Sequence, residues 1–173
     1  MKKQTLITAV TLMLVMLSGC VTPQTVAPVI KAQVATYKEP PNSVADAIRE
    51  LSVKQTRKQI VKQALSGLGV RYVFSGMSRY GWDCSGFTAY VFEKFGITLE
   101  HSATKQAYYA KPTHKPVAGD LVAFSKGGYW YYHVGIYLGH GKVVDANSYY
   151  GRTLIEPITN YKGDKITFID VLK

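Results

Sequence analysis

The chain has 173 residues, with 21 lysines and arginines against 11 aspartates and glutamates, and two cysteines. A hydrophobic share of 47% excludes a disordered chain, and two cysteines exclude a disulfide-built scaffold. The formal charge of +10 directs attention to anionic partners. In chain order, Lys2 and Lys3 come first and are followed by an almost unbroken apolar run from Leu6 to Leu17. That run falls short of the about 20 apolar residues a membrane-spanning helix needs. Charged start, apolar stretch and small residues Ser18 and Gly19 form the layout of an export leader over residues 1–19.

Leu17-Ser18-Gly19-Cys20 resembles the lipobox of bacterial lipoproteins. The resemblance implies cleavage before Cys20 and a diacylglycerol on its sulfur, so that the mature protein is anchored to a membrane rather than spanning it. An ordinary leader with an incidental cysteine is the competing reading. Val21, where an aspartate would argue for the inner membrane, points by analogy with Gram-negative lipoproteins to the outer membrane, facing the periplasm. Loss of Lys2 and Lys3 with the leader takes the charge excess from ten to eight. An exported chain does not meet cytoplasmic nucleic acid, so the expected anionic partners are wall polymers or lipid head groups. The cluster Lys54, Arg57, Lys58 and Lys62 fits that role, and fits a solvated helix face equally well.

Residues 20–42 hold four prolines and no periodicity, and read as a flexible tether. Residues 43–173, about 130 in all, suffice for a hydrophobic core without disulfides. Ser43 caps a helix from Val44 to about Ser66, with Ile48, Leu51, Ile60, Ala64, Leu65 and Leu68 as its apolar stripe. Val70 to Trp82 is a Gly/Ser/aromatic loop. A second helix fits Cys84 to Phe95, with Phe87, Tyr90, Val91 and Phe95 on one face, and a third runs from a Ser102 cap to about Ala110. The period then drops to two: Asp120–Phe124, His133–Leu138, Lys142–Ala146, Arg152–Ile155 and Ile166–Val171 read as strands. Helices first and antiparallel strands afterwards predict an α+β domain, with the helices on one side of a sheet of about five strands.

Asp83-Cys84-Ser85-Gly86-Phe87 puts a thiol on the first turn of a helix, where unpaired amides and the helix dipole favour a thiolate and face a developing oxyanion. Burial as a small apolar residue is the plainer use of a cysteine, but Cys84 has no disulfide partner and does not sit mid-face. Four histidines compete for the role of base. His101 and His114 lie in polar connections and His140 between two turn glycines, whereas His133 opens a strand that would hold it rigidly. Asp145, on the following strand, is the acid placed to orient it. The run Gly128-Tyr129-Trp130-Tyr131-Tyr132 reads either as a groove wall or as half-buried aromatics at a strand entry.

Tyr72, then Asp83 to Phe87, then Ala118-Gly119-Asp120-Leu121-Val122, then His133-Val134-Gly135-Ile136-Tyr137 resemble, in order and spacing, the motifs of the NlpC family of cell-wall peptidases. The resemblance runs from about Ile60 to the C-terminus. It implies a papain-like core, hydrolysis of amide bonds in peptidoglycan stem or cross-link peptides, a Cys-His-polar triad, and neither metal nor cofactor. By position Cys84 is the nucleophile, His133 the general base and acid, and Asp145 the residue that orients it. Tyr72 joins the oxyanion site, and Asp83 and Ser85 line the substrate subsites. The chain departs from the family in three places: Asp145 where a histidine is common, His101 where many relatives carry arginine, and Ala118 in place of a proline. A monomer in the cell envelope is expected. The competing functions are a catalytically silent wall-binding lipoprotein and an amidase or acyltransferase on the same scaffold.

Overall fold

The computed structural model describes residues 43–173; the predicted leader, Cys20 and the tether lie outside the described residues. Helix α1 spans Val44–Leu65, and Ser43 caps it by accepting the Asp46 amide at 3.1 Å. Ile60 and Ala64 of the predicted stripe are fully buried, but Ile48 and Leu51 are 61% and 66% exposed, and Leu65 and Leu68 also lie at the surface. The phase explains the difference. At 3.6 residues per turn Leu51 stands roughly half a turn from Ile60 and cannot share its face. In the N-terminal half the half-buried positions are instead Ala47, Val53, Thr56 and Arg57.

Arg57 therefore belongs to the fold rather than to a basic patch. It bonds Asp120 at 2.5 Å and also Asp170, and both carboxylates are buried. A fork donor holding two acids suits arginine geometry and ties α1 to the sheet.

The predicted loop contains a short ribbon, with β1 (Met77–Ser78) pairing antiparallel with β2 (Gly81–Trp82). Trp82 is buried, donates its indole N–H to Thr153 Oγ1 at 2.7 Å and packs on Phe87 and Tyr90. Helix α2 is Cys84–Glu93, and α3 is Ala103–Ala107 under its Ser102 cap, a turn shorter than predicted.

Five strands follow: β3 (Leu121–Ser125), β4 (His133–Gly139), β5 (Lys142–Asn147), β6 (Arg152–Pro157) and β7 (Lys165–Ile169). They form one antiparallel sheet in the order β6-β5-β4-β3-β7, confirming the α+β class. Alternation gives the sheet two apolar faces. Leu121, Ala123, Val134, Ile136, Val144 and Ile169 meet Ile60, Phe87, Val91 and Phe92 of the helices. Each fully buried Val, Leu, Ile or Phe side chain among them contributes about 1.5–3 kcal/mol. Val122, Phe124 and Val143 turn to the opposite side, where Tyr161, from the 3-10 turn Ile158–Tyr161, packs on them. The register Phe124↔His133 puts His133 on this second face.

Candidate active site

Cys84 is the first residue of α2, buried at its N-terminal end. Asp83 is the cap, and its carboxylate is fully engaged. Oδ1 accepts the Gly86 amide at 2.8 Å and the Ser85 hydroxyl at 3.0 Å, while Oδ2 accepts the Ser75 amide at 3.1 Å and faces His101 Nε2 at 2.8 Å. Gly86 allows the turn to close, since a Cβ there would stand 2.0 Å from the Gly76 carbonyl. The polar atoms of Asp83 and Ser85, both predicted to line subsites, thus sit in the cap, each residue less than 10% exposed. The Cys84 and Ser85 amides have no intrahelical acceptor. Gln106, which the sequence did not single out, braces the same turn by donating to the Ser85 carbonyl at 2.9 Å and accepting from Thr88 Oγ1.

His133 and Asp145 are brought together by an irregular hairpin. Ile136 pairs with Val144 and Tyr137 with Val143, but Gly139 pairs with Lys142, which leaves Leu138 as a bulge. His140 and Gly141 form the two-residue turn with φ of 50° and 68°. Carried back along β4, this register sets Gly135 opposite Asp145 and His133 diagonal to it. His133 Nε2 lies 2.7 Å from Asp145 Oδ2. A Cβ on Gly135 would meet Asp145 Cβ at 2.9 Å and Val143 Cγ2 at 2.5 Å, so only glycine lets the carboxylate in.

The Cys84 thiol is near enough to the imidazole to raise its pKa. With Nε2 on Asp145, the nitrogen left for the thiol is Nδ1. Burial pushes the imidazole toward its neutral form, but Asp145 and Cys84 outweigh burial and hold its pKa up at about 10. Burial also pushes the Asp145 carboxyl up, against the lowering bonds from His133 and Tyr161. The two tendencies favour opposite charge states. We take the ion pair as the governing one, because both the imidazole and the Tyr161 hydroxyl bond Oδ2 at 2.7 Å.

Tyr72, half-buried on the segment before the ribbon, is close enough to Cys84 and Asp83 that burial and their charges raise its pKa and keep its hydroxyl a donor. The other histidines stay apart from the pair: His101 bonds Asp83, and His114 and His140 are exposed. The aromatic run divides. Tyr129 and Trp130 face solvent, whereas Tyr131 bonds Thr167 and Tyr132 bonds Asp164. Sequence reasoning missed Glu156 and Tyr161, which back Asp145 and carry no local signal. Among the described residues no group of three or more His, Cys, Asp or Glu side chains is placed to hold a metal ion.

Fold and geometry together define an α+β domain with a Cys-His-Asp cluster where the first turn of a helix meets a sheet. The model of the NlpC/P60 family matches residues 69–169, and the chain belongs to that family. It is 35% identical over 106 residues to the gamma-D-glutamyl-L-lysine dipeptidyl-peptidase of Bacillus subtilis (strain 168), a match covering 59% of this chain and 36% of that protein. It is 29% identical over 131 residues to the peptidoglycan endopeptidase RipB of Mycobacterium tuberculosis, covering 66% of this chain and 53% of RipB. The solved RipB structure superposes with a TM-score of 0.63 at 21% identity, over 88% of this chain and 87% of that one. RipD of the same organism, described as a non-catalytic NlpC/p60 domain protein adapted to peptidoglycan binding, superposes with a TM-score of 0.58 at 18% identity, over 66% of this chain and 96% of RipD. The chain thus spans about a third to a half of the length of the Bacillus peptidase and RipB.

Proposed function

We propose that the protein is a cysteine peptidase that hydrolyses an amide bond in the stem or cross-link peptides of peptidoglycan. One observation carries the reading: the His133 imidazole bonds the Asp145 carboxylate at 2.7 Å and has the Cys84 thiol near enough to raise its pKa. With the proton of the pair already on His133, Cys84 attacks the scissile carbonyl carbon as the thiolate. The Cys84 and Ser85 amides, with the Tyr72 hydroxyl, stabilise the oxyanion. The C–N bond breaks as His133 gives its proton to the leaving amine. Water then attacks the thioester, His133 takes the water's proton, and the thiolate is restored as the carboxylic acid leaves. Asp145 keeps the ring oriented and balances its charge throughout. Asp83 and Ser85 border the thiol and line the first subsites with their backbone, while their polar side-chain atoms hold the cap.

The same reading places the mature chain in the cell envelope as a monomer, held to the membrane by acylated Cys20 and, in a Gram-negative cell, facing the periplasm from the outer membrane. Wall binding without catalysis, as in the description of RipD, is the second reading, and intact Cys84 and His133 weigh against it. Iodoacetamide separates the two. A peptidase alkylates at Cys84 near pH 6 faster than free cysteine does, whereas an inert buried thiol reacts more slowly.

A further inference from the structure

Tyr161 touches both His133 and Asp145, although it lies 16 residues beyond Asp145 in sequence. Its ring lies nearly parallel to the His133 imidazole, with centroids 5.4 Å apart and planes 20° apart, and stacks on Phe124 at 3.8 Å. Its hydroxyl is 2.7 Å from Asp145 Oδ2, the oxygen that also holds His133 Nε2, and 2.8 Å from Glu156 Oε1. One hydroxyl proton serves one acceptor at a time. Asn147 and Asn160 each donate to Glu156 at 2.8 Å, whereas Asp145 Oδ1 is buried with no partner among the described residues. Glu156 is therefore already supplied, and Asp145 is the carboxylate short of donors. The Asn160 bond also pins the turn that carries Tyr161, since the two residues are adjacent.

We propose that Tyr161 is a positioning residue of the active site. Its ring sets the plane of the His133 imidazole, and its hydroxyl fixes the Asp145 oxygen that holds Nε2, with Glu156 and Asn160 pinning its turn. This rests on the reading of Cys84 and His133 as the catalytic pair. A tyrosine that merely filled the second core would need the ring alone. A positioning residue needs the hydroxyl as well.

The titratable groups facing the imidazole are Cys84 from α2, Asp145 from β5, Tyr132 from the entry to β4 and Tyr161 itself, with Glu156 of β6 behind Asp145. Removing the hydroxyl takes away a bond that lowers the Asp145 pKa, which weakens the carboxylate and with it the imidazolium. The test is Tyr161→Phe in the full chain, read by muropeptide turnover and by NMR titration of His133. Turnover should fall about ten-fold in kcat with KM little changed, as for a lost bond to a charged group, and the His133 titration should move to lower pH. Tyr161→Ala should lose more, but it also opens the second core, so Tyr161→Phe decides. Wild-type kcat together with an unmoved His133 titration would overturn the proposal. Cys84→Ala run in parallel isolates the underlying reading: were it still active, that reading would fail, while the His133 titration would still decide whether Tyr161 positions the ring.

Discussion

Asp145 meets His133 because Leu138 is an extra residue in β4 with no counterpart in β5. A regular hairpin closed by His140-Gly141 would set Ile136 opposite Asp145 and turn the carboxylate away from the imidazole, since side chains alternate along each strand. The bulge restores the shared face, and Gly135 supplies the room.

Gly135→Ala should therefore harm the site more than the fold. The new methyl meets Val143, Asp145 and the Val144 carbonyl inside normal contact distance, so β5 must shift. We expect a loss of about 1–3 kcal/mol, read by urea unfolding, as for other overpacked positions. Turnover should fall at least about ten-fold as the His133–Asp145 bond lengthens. Unchanged activity would mean that Asp145 tolerates displacement.

The charge on His133 gives a pH test. Its pKa is held at about 10, above the ordinary value of about 6.5. The charged imidazole therefore stabilises the fold fully below about pH 6.5, and that contribution is lost as pH rises through about 10. In Asp145→Asn the strongest raising partner is gone while burial remains, so the His133 titration seen by NMR should fall by at least about one unit. The stability deficit of the variant should be largest between the Asp145 and His133 titrations and shrink above about pH 10. A wild-type imidazole titrating near 6.5 would contradict the pair.

Arg57 tests the fold independently of the chemistry. Arg57→Met leaves Asp120 and Asp170 buried without their shared cation, and about 3–5 kcal/mol of stability should be lost. Differential scanning calorimetry reads this as a lowered Tm, while Cys84 alkylation below the transition should stay near wild type.

Cys20→Ser tests the anchor. The variant should remain fully active on soluble muropeptides but appear in the supernatant after membranes are sedimented in high salt. A variant that still sediments would mean that something other than an acyl chain holds the protein.

Much of this site was legible in the sequence because its signals are local. A cap, a thiol and an apolar helical face stand together in Asp83-Cys84-Ser85-Gly86-Phe87, and His133 opens an unbroken alternating run. Asp145 was legible only as the acid on the following strand, since its face depends on one residue of register. Tyr161, Glu156 and Gln106 were not legible: each acts through partners distant in sequence, and one tyrosine among 13 carries no pattern. Ile48 and Leu51 are apolar but out of phase with Ile60 and Ala64, and Arg57, a charged residue, takes an inward position. The β1–β2 ribbon has two residues per strand, too few for any period to show.

Mass spectrometry of purified muropeptides incubated with wild-type protein and with Cys84→Ala shows whether the Cys84 thiol cuts peptide bonds of the wall. Wild type should release fragments whose masses add up to the substrate plus one water, and Cys84→Ala, which keeps the helix start, should release none. Intact muropeptides with wild type, or fragments at a near wild-type rate with Cys84→Ala, would contradict that role of Cys84.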